Sequence, residues 1–596
     1  MTCRAIEILL DDSRPDRERL RRFAEPRAIV QTDDPARVTA ALHVLQDALR
    51  TGKHVAGYFS YEMGYVLEPR LRPLLPERRD VPLLWFGIFD SYEEFHGTAA
   101  GEWLAARVEG RCHAGPLAHE WDRAAYDRRF ERVHGLIAAG DIYQANLSFR
   151  SRFAAIGDPL ALYIGLRGRS QAPHGAFIDD GTRCILSLSP ELFFAISAYR
   201  EITAKPMKGT APRGGNPVND TMTREHLRAS EKDRAENLMI VDLLRNDLGR
   251  IAETGTVSVN DLFAVETYPT VHQMVSTVRA KMKPDVSVAG IVKALFPCGS
   301  VTGAPKIRAM EIIRETEESP RGVYCGAIGY FAPDGSASFN VAIRTITIED
   351  GHGNLGIGGA VVHDSNAAGE FDECLLKARY YETARQPIEL IETLRFSPQG
   401  GFARIERHMA RMAASAVAFA IPFREEVALK AMRTSVAGAW REMRVRLALR
   451  EDGSFDCTTA AMPAPSAGWC YVISSAVMDD RDELLRHKTN WREAYEAALA
   501  QAQDCDEVIF VNTRGRLTEG TRSNIFLRRA GKLYTPPVSD GLLPGCLRAE
   551  LIAQGACDEA TLYPEDLDTA EEVLFGNSLR GLVKAVRLET VQSCRG

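Results

Sequence analysis

Apolar residues along this 596-residue chain recur in two rhythms, one near 3.6 residues and one of two. In "DRAAYDRRFERVHGLIAAG" the large apolar positions are Tyr126, Phe130, Val133 and Ile137. That spacing predicts an amphipathic helix, and Gly140 suits the residue just past its end. "EKDRAENLMIVDLLRNDLGR" predicts a second helix, with Leu238, Val241, Leu244 and Leu248 on one stripe. "GEFDECLLKARYYETA" and the alanine-rich "FARIERHMARMAASAVAFAI" predict two more. Strand patterns lie between them. "HVAGYFSYEMGYVLE" is aromatic and glycine-punctuated, and "DIYQANLSF" follows the first helix. "GVYCGAIGYFAPDGSASFNVAIRTITIEDGHGNLGIGGAVV" reads strand–turn–strand, with hairpin signals at "APDGS" and "EDGHG". There is no internal repeat. The mixture predicts an α+β fold.

Length then divides the chain. At ~100–200 residues per domain, 596 residues exceed one core. Pro387 is the expected boundary, giving units at 1–385 and 388–596. Hydrophobic residues make up 45% and charged residues 26%, so a folded chain is expected. The net charge of −7 argues against a nucleic-acid partner, whose footprint is usually basic. Twelve cysteines are scattered without a CxxC pair, as in reduced thiols. The start, "MTCRAIEILLDDSRPDR", has too short an apolar run for a signal segment, and no stretch approaches the ~18 apolar residues of a membrane span. These features point to a soluble cytoplasmic protein with no membrane partner.

Several segments carry candidate chemistry. In "AKPMKGTAPRGG", proline and glycine predict a rigid turn that holds the amine of Lys208, with Lys205 and Arg213 as flanking cations. On the helix of "GEFDECLLKARYY", Glu370, Glu373 and Lys377 share one face. Asp233 and Glu236 open the other acidic helix. Two such faces suit one hard cation, because Mg²⁺ takes oxygen ligands and few carboxylates. "FPCGSVTGAPKIRAMEII" is a glycine-rich turn opening a helix, where backbone N–H groups favour an anion. "GIGGAVV" lets a ligand approach the backbone closely.

Six segments occur in one order: "KPMKGTAPRG", "EKDRAENLMIVDLLRNDLGR", "FPCGSVTGAPKIRAMEII", "CGAIGY", "IRTI" and "GIGGAVVHDSNAAGEFDE". Together they resemble the chorismate-binding enzymes, strongly over 120–385 and more loosely over 1–115. The resemblance implies a two-sheet sandwich with surrounding helices, chorismate as substrate, and Mg²⁺. It implies Glu236 and Glu373 as metal ligands, with Glu370 and Asp233 beside them. Arg344 and Lys377 would hold a substrate carboxylate near Gly358 and Gly359. His272 and Thr302 would line the ring, and Glu191 would be the general acid. Anthranilate synthases usually carry alanine where this chain has Lys208, whereas aminodeoxychorismate synthases carry lysine. The resemblance thus makes Lys208 a nucleophile toward the ring, active only when its amine is deprotonated.

Residues 388–596 hold a second ordered set. A lysine precedes a helix in "LLRHKTNWREAYEAALAQ", then come "NTRGRLTEG", "SNIF" and "GLLPGCLR". This order is similar to the fold-type IV pyridoxal-phosphate enzymes, an α/β class of aminotransferases and aminodeoxychorismate lyase. The similarity implies Lys488 as the lysine that bonds the cofactor and Glu519 as partner of its ring nitrogen. Arg411, Ser578 and the backbone at Gly545, Cys546 and Leu547 would hold its phosphate, with Asn524 lining the site. The segment before "IETLR" is short for the class, so the small lobe is expected to be reduced or partly supplied by the first unit. A homodimer through this unit is also implied.

The joined resemblances imply two activities in one chain. Chorismate and ammonia give aminodeoxychorismate, which loses pyruvate to give 4-aminobenzoate for folate synthesis. No glutaminase nucleophile segment is present, so a separate glutamine amidotransferase is expected to supply ammonia, unless free ammonia is used. The alternative, an anthranilate-type synthase joined to a class IV transaminase, is disfavoured by Lys208.

Overall fold

The computed structural model describes residues 5–588 apart from 269–270, 465, 467 and 503–504. The chain forms two compact units. One comprises residues 1–107, 117–153 and 163–384; the other comprises 385–596 together with 108–116 and 154–162. A simple cut at residue 385 therefore does not describe the second unit. The reason is packing: Ile156 belongs to the same apolar core as Leu390, Met412 and Leu447, and His113 stacks edge-on against Phe419 and Trp491.

The first unit is built on two large sheets. One runs through Glu7–Asp12, His174–Asp179, Cys184–Ser189 and Thr345–Glu349 to His352–Val361. The other runs through His54–Phe59, Ala327–Phe331, Ala337–Val341 and Leu192–Ile196. Both expected hairpins are present, turning at Gly335 and Gly351 with positive φ. The helix Arg123–Ala138 buries Tyr126, Phe130, Val133 and Ile137, and Gly140 follows its end at φ 81°.

The elements that build the first site can now be named. Strand β1 is Met207–Pro212, helix α1 is Glu231–Gly249, strand β2 is Val271–Lys281, strand β3 is His352–Val361 and helix α2 is Ala367–Glu382. The expected rigid turn around Lys208 is instead a strand. β1 pairs antiparallel with β2, and the register slips between Met207 and Thr210, where Gly209 takes φ 85°. Glycine and proline signalled the irregularity but not the pairing that absorbs it. In α1 the buried stripe is Ile240, Val241, Leu244 and Leu248, with Asn237 and Asp247. Leu238, expected on that stripe, is 44% exposed. It lies ~60° around the helix from Val241, at the rim of the buried face. Ser276 Oγ on β2 donates to Asn237 Oδ1 at 2.5 Å and pins α1 against the sheet.

In the second unit, strand β4 (Glu389–Ser397) is central to a four-stranded sheet covered by helix α3 (Ile405–Ala418). A larger eight-stranded sheet contains strand β5 (Leu517–Gly520) and is flanked by helix α4 (Cys546–Ala553). The main chain at Lys488 bonds to β4, with Ile391 N donating to Lys488 O at 2.7 Å. No helix among the described residues is long and apolar enough to cross a membrane.

Candidate active sites

Lys208 sits on β1 one residue before the bulge glycine. A Cβ at Gly209 would lie 2.9 Å from Asp233 of α1, so only glycine lets the helix approach this closely. Glu236, nearly one turn further along α1, then faces Lys208. Burial pushes the Lys208 amine below its ordinary proton affinity; Glu236 and Glu191 draw it back up, while Lys377 adds to the depression. The cation expected beside it was Lys205 or Arg213. Those two are engaged elsewhere, Lys205 with Glu266 and Arg213 with Asp220, and α2 supplies Lys377 instead.

Glu191 is 4% exposed, and its Oε1 has no hydrogen-bond partner among the described residues. Burial raises its carboxyl to about 7, against the opposing pull of Ser300 and Lys208. A buried acid that stays protonated near neutrality is suited to proton donation. On α2, Lys377 Nζ is 2.8 Å from Glu373 Oε1 and donates to Gly358 O at 3.0 Å. Burial alone would lower Lys377, but Glu373 carries it above the usual value. Glu370 accepts from Ser365 Oγ at 2.6 Å, and burial raises its carboxyl. A Cβ at Gly359 would press on Glu370 at 3.3 Å, and one at Gly358 would strike Ser148 at 2.3 Å.

Mg²⁺ fits this donor set in part. Asp233, Glu236, Glu370 and Glu373 do not gather three oxygens within 4.8 Å among the described residues. The charge of Glu373 nonetheless reaches Glu236, both act on Lys208, and burial raises the Glu236 carboxyl above its ordinary value. Two carboxylates, one from each helix, would suffice for an ion that keeps waters and takes substrate oxygens. Lys232, which sequence reading passed over, is a standing counter-charge at 4.0 Å from Glu236. Its i,i+4 spacing was the available signal.

Arg344 is desolvated, with φ 49°, and no carboxylate pairs with it among the described residues. Burial lowers its proton affinity, and Tyr380 and Tyr268 oppose that. An unpaired, half-buried guanidinium is a carboxylate receptor. Two expected ring-lining residues are already committed. His272 bonds Asp220 at 2.8 Å and Thr267 at 2.9 Å, and Thr302 Oγ1 donates to the carbonyls of Cys298 and Gly299. Their polar atoms hold the walls, so only the imidazole ring and the methyl group remain to line a ligand.

The second site assembles from five segments. Burial, with Arg492 and Arg411, lowers Lys488 to about 8. Burial raises Glu519 on β5 to about 7, and Tyr495 Oη donates to its Oε1 at 2.9 Å. Asn524 Nδ2 donates to Leu543 O at 2.9 Å, and its Oδ1 lies 1.9 Å from where a Cβ at Gly545 would stand. Gly545 caps α4 with no side-chain bond to the first turn, which leaves the N–H groups at Cys546 and Leu547 for an anion. Arg411 reaches the same end of α4, donating to Pro544 O at 3.1 Å. Ser578 Oγ is 2.7 Å from His408 Nε2. These residues fit a phosphorylated aldehyde cofactor: a deprotonatable amine, a buried carboxyl for a ring nitrogen, and a helix N-terminus with the Arg411 guanidinium beside it. Glu392, His408 and Tyr495 were not picked out from the sequence. The i,i+3 pair of His408 and Arg411 on one helix face was the available signal.

Two families of known proteins match successive parts of the sequence. The family model of chorismate binding enzymes matches residues 7–382, and that of class IV amino-transferases matches 389–588. An aminodeoxychorismate synthase from Streptomyces griseus is 47% identical over 267 residues, 45% of this chain and 37% of that one. The chain thus spans little more than a third of that relative. Aminodeoxychorismate synthase component 1 from Klebsiella aerogenes is 38% identical over 340 residues, covering 53% of this chain and 74% of the relative. Anthranilate synthase component I from Streptococcus pneumoniae shares the fold at a TM-score of 0.52 and 24% identity, over 64% of this chain and 92% of that one. With well over half of its length matched, this chain belongs to the chorismate binding enzyme family, and a class IV amino-transferase domain follows in the same chain.

Proposed function

We propose that this protein makes 4-aminobenzoate from chorismate and ammonia in two steps, one in each unit. The observation that carries this reading is Lys208, an amine held deprotonatable by burial and Lys377 in a chorismate-binding unit that is followed by a class IV domain. In the first step Arg344 binds one substrate carboxylate. Mg²⁺ would be held by Glu236 and Glu373, with Glu370 and Asp233 beside them, and supplies positive charge against the other. Lys208 Nζ attacks C2 of the ring, the diene shifts, and the C4–O bond breaks. Glu191 gives its proton to the departing hydroxyl, which leaves as water. Ammonia then bonds to C4 and Lys208 departs. Relatives named component 1 support a second, separate component, and a glutaminase there would supply the ammonia.

In the second step Arg411, Ser578 and the α4 N-terminus would bind the phosphate of pyridoxal phosphate, and Glu519 would face its ring nitrogen. The cofactor supplies an electron sink for the carbon that bears the new amine. Lys488 Nζ, lowered to about 8, takes the proton from C4. The enolpyruvyl group leaves, becomes pyruvate, and the ring aromatises.

The test is product identity. The pure protein receives chorismate, ammonium and Mg²⁺, with or without pyridoxal phosphate. 4-Aminobenzoate and pyruvate are expected with the cofactor, and aminodeoxychorismate without it. Anthranilate would overturn the first half, and aminodeoxychorismate accumulating despite the cofactor would overturn the second.

A further inference from the structure

The guanidinium groups of the second site are not equally free. Arg411 spends Nε and Nη2 on Glu392, at 2.9 and 2.6 Å, and Nη1 on Pro544 O at 3.1 Å. Arg404 bonds Glu550 at 2.7 Å. Arg492 has no carboxylate partner among the described residues, and the two proposed steps give it no task. It stands four residues past Lys488, at the start of the helix Glu493–Gln501.

This guanidinium is held in two ways. Its Nη2 donates to the carbonyl of Thr521, two residues past Glu519. Its Cζ lies 4.6 Å over the centre of the Tyr495 ring, whose Oη donates to Glu519 Oε1 at 2.9 Å. A cation over an aromatic face is attracted by the charge distribution of the ring. Nε and Nη1 have no hydrogen-bond partner among the described residues. A fixed guanidinium with open N–H groups has the shape that takes a carboxylate through two parallel bonds.

The charges that Arg492 acts on place it at the reacting end of the site. Burial lowers the Lys488 amine most, and Arg492 comes next, ahead of Arg411. Its charge also pulls on Glu519, against burial. Lys488 works at C4 of the substrate. The enolpyruvyl ether of aminodeoxychorismate sits on C3, next to that carbon, whereas the ring carboxylate points away from it at C1.

We propose that Arg492 is the carboxylate receptor of the second site and holds the enolpyruvyl carboxylate, the one that departs in pyruvate. The inference rests on the lyase reading of this unit. Arg492 thereby determines specificity: it selects amines with a carboxylate-bearing group on the adjacent carbon over amines that lack one.

The experiment uses the full chain loaded with pyridoxal phosphate and supplied directly with aminodeoxychorismate. The two products serve as inhibitors, since pyruvate carries the departing carboxylate and 4-aminobenzoate the ring carboxylate. Arg492→Gln is expected to raise KM and the inhibition constant for pyruvate about tenfold or more, and to leave that for 4-aminobenzoate within about twofold. The same split should appear without turnover, when each product is titrated against the absorbance of the bound cofactor. Arg492→Lys keeps a cation without the fork, so pyruvate should weaken there too, by less; this variant decides if Arg492→Gln fails to load. Pyruvate inhibition as strong as wild type in either variant overturns the proposal. So does equal weakening of both products, a loss confined to 4-aminobenzoate, or a wild type that pyruvate does not inhibit. A wild type that releases no pyruvate from aminodeoxychorismate would instead sink the lyase reading, and the inference with it.

Discussion

Replacing Glu191 with glutamine separates what the buried acid does for chemistry from what it costs the fold. Glutamine keeps the shape and removes the titration. The carboxyl stands at about 7 against 4.5 in an unfolded chain, and burial is the main cause. A gap of ~2.5 units corresponds to about 3 kcal/mol between the charged and neutral forms. The folded-state value is raised, so the folded chain holds the proton more tightly than the unfolded chain. The acid's contribution is fully present below pH ~4.5 and is lost as pH rises through 7. Wild type should therefore lose up to ~3 kcal/mol between pH 5 and pH 8 that Glu191→Gln keeps. The assay is denaturant unfolding of both proteins at each pH, following the first unit. At pH 5 the two should match closely, and at pH 8 the variant should be more stable. Ammonia-dependent consumption of chorismate should meanwhile drop ~10²–10⁴-fold, the usual worth of a general acid. A stability difference that does not change between pH 5 and 8 would refute the reasoning, because the carboxyl would then titrate as it does in water.

Three further outcomes follow from the geometry. Lys208→Ala should abolish 4-aminobenzoate formation with ammonia while chorismate still binds, as read by product chromatography and ligand-induced thermal shift; retained synthesis would remove the nucleophile. Tyr495→Phe leaves Glu519 Oε1 without its donor, so stability should fall by ~1–3 kcal/mol, with a shift in the absorbance of the bound cofactor; an unchanged spectrum would mean that Glu519 does not meet its ring. Gly545→Ala places a Cβ 1.9 Å from Asn524 Oδ1 and should weaken pyridoxal phosphate binding more than tenfold in equilibrium dialysis; wild-type affinity would show that the α4 N-terminus is not the phosphate seat.

Much of the site was legible in the sequence because its chemistry is carried by short motifs in a fixed order. Lys208, Glu236 and the Glu373–Lys377 pair stand in separate motifs, and the structure brings their charges within reach of one another. The hairpins at Gly335 and Gly351 and the helix ending before Gly140 were also plain, since each depends on neighbours in sequence. What stayed hidden depends on pairing between distant segments. The strand at Lys208 exists only because β2 lies beside it. The commitment of His272 to Asp220 needs a helix whose packing no local pattern announces. Glu392, His408 and Ser578 touch across 186 positions, from 392 to 578, and no local pattern shows the bonds that join them.

The second unit draws on residues 108–116 and 154–162, and this governs how the gene product can be divided. A recombinant fragment starting at 385 would lack Ile156 from its core and would lose the ring of His113 from beside Phe419 and Trp491. Arg385, which donates to Ala114 O at 2.9 Å, would lose that acceptor. The complementary fragment would keep those apolar groups with nothing to cover them. Neither half is a finished article, so splitting the two activities onto separate polypeptides would require new surface residues at both scars. During synthesis on the ribosome, the stretches at 108 and 154 must wait for more than two hundred later residues before their own core exists.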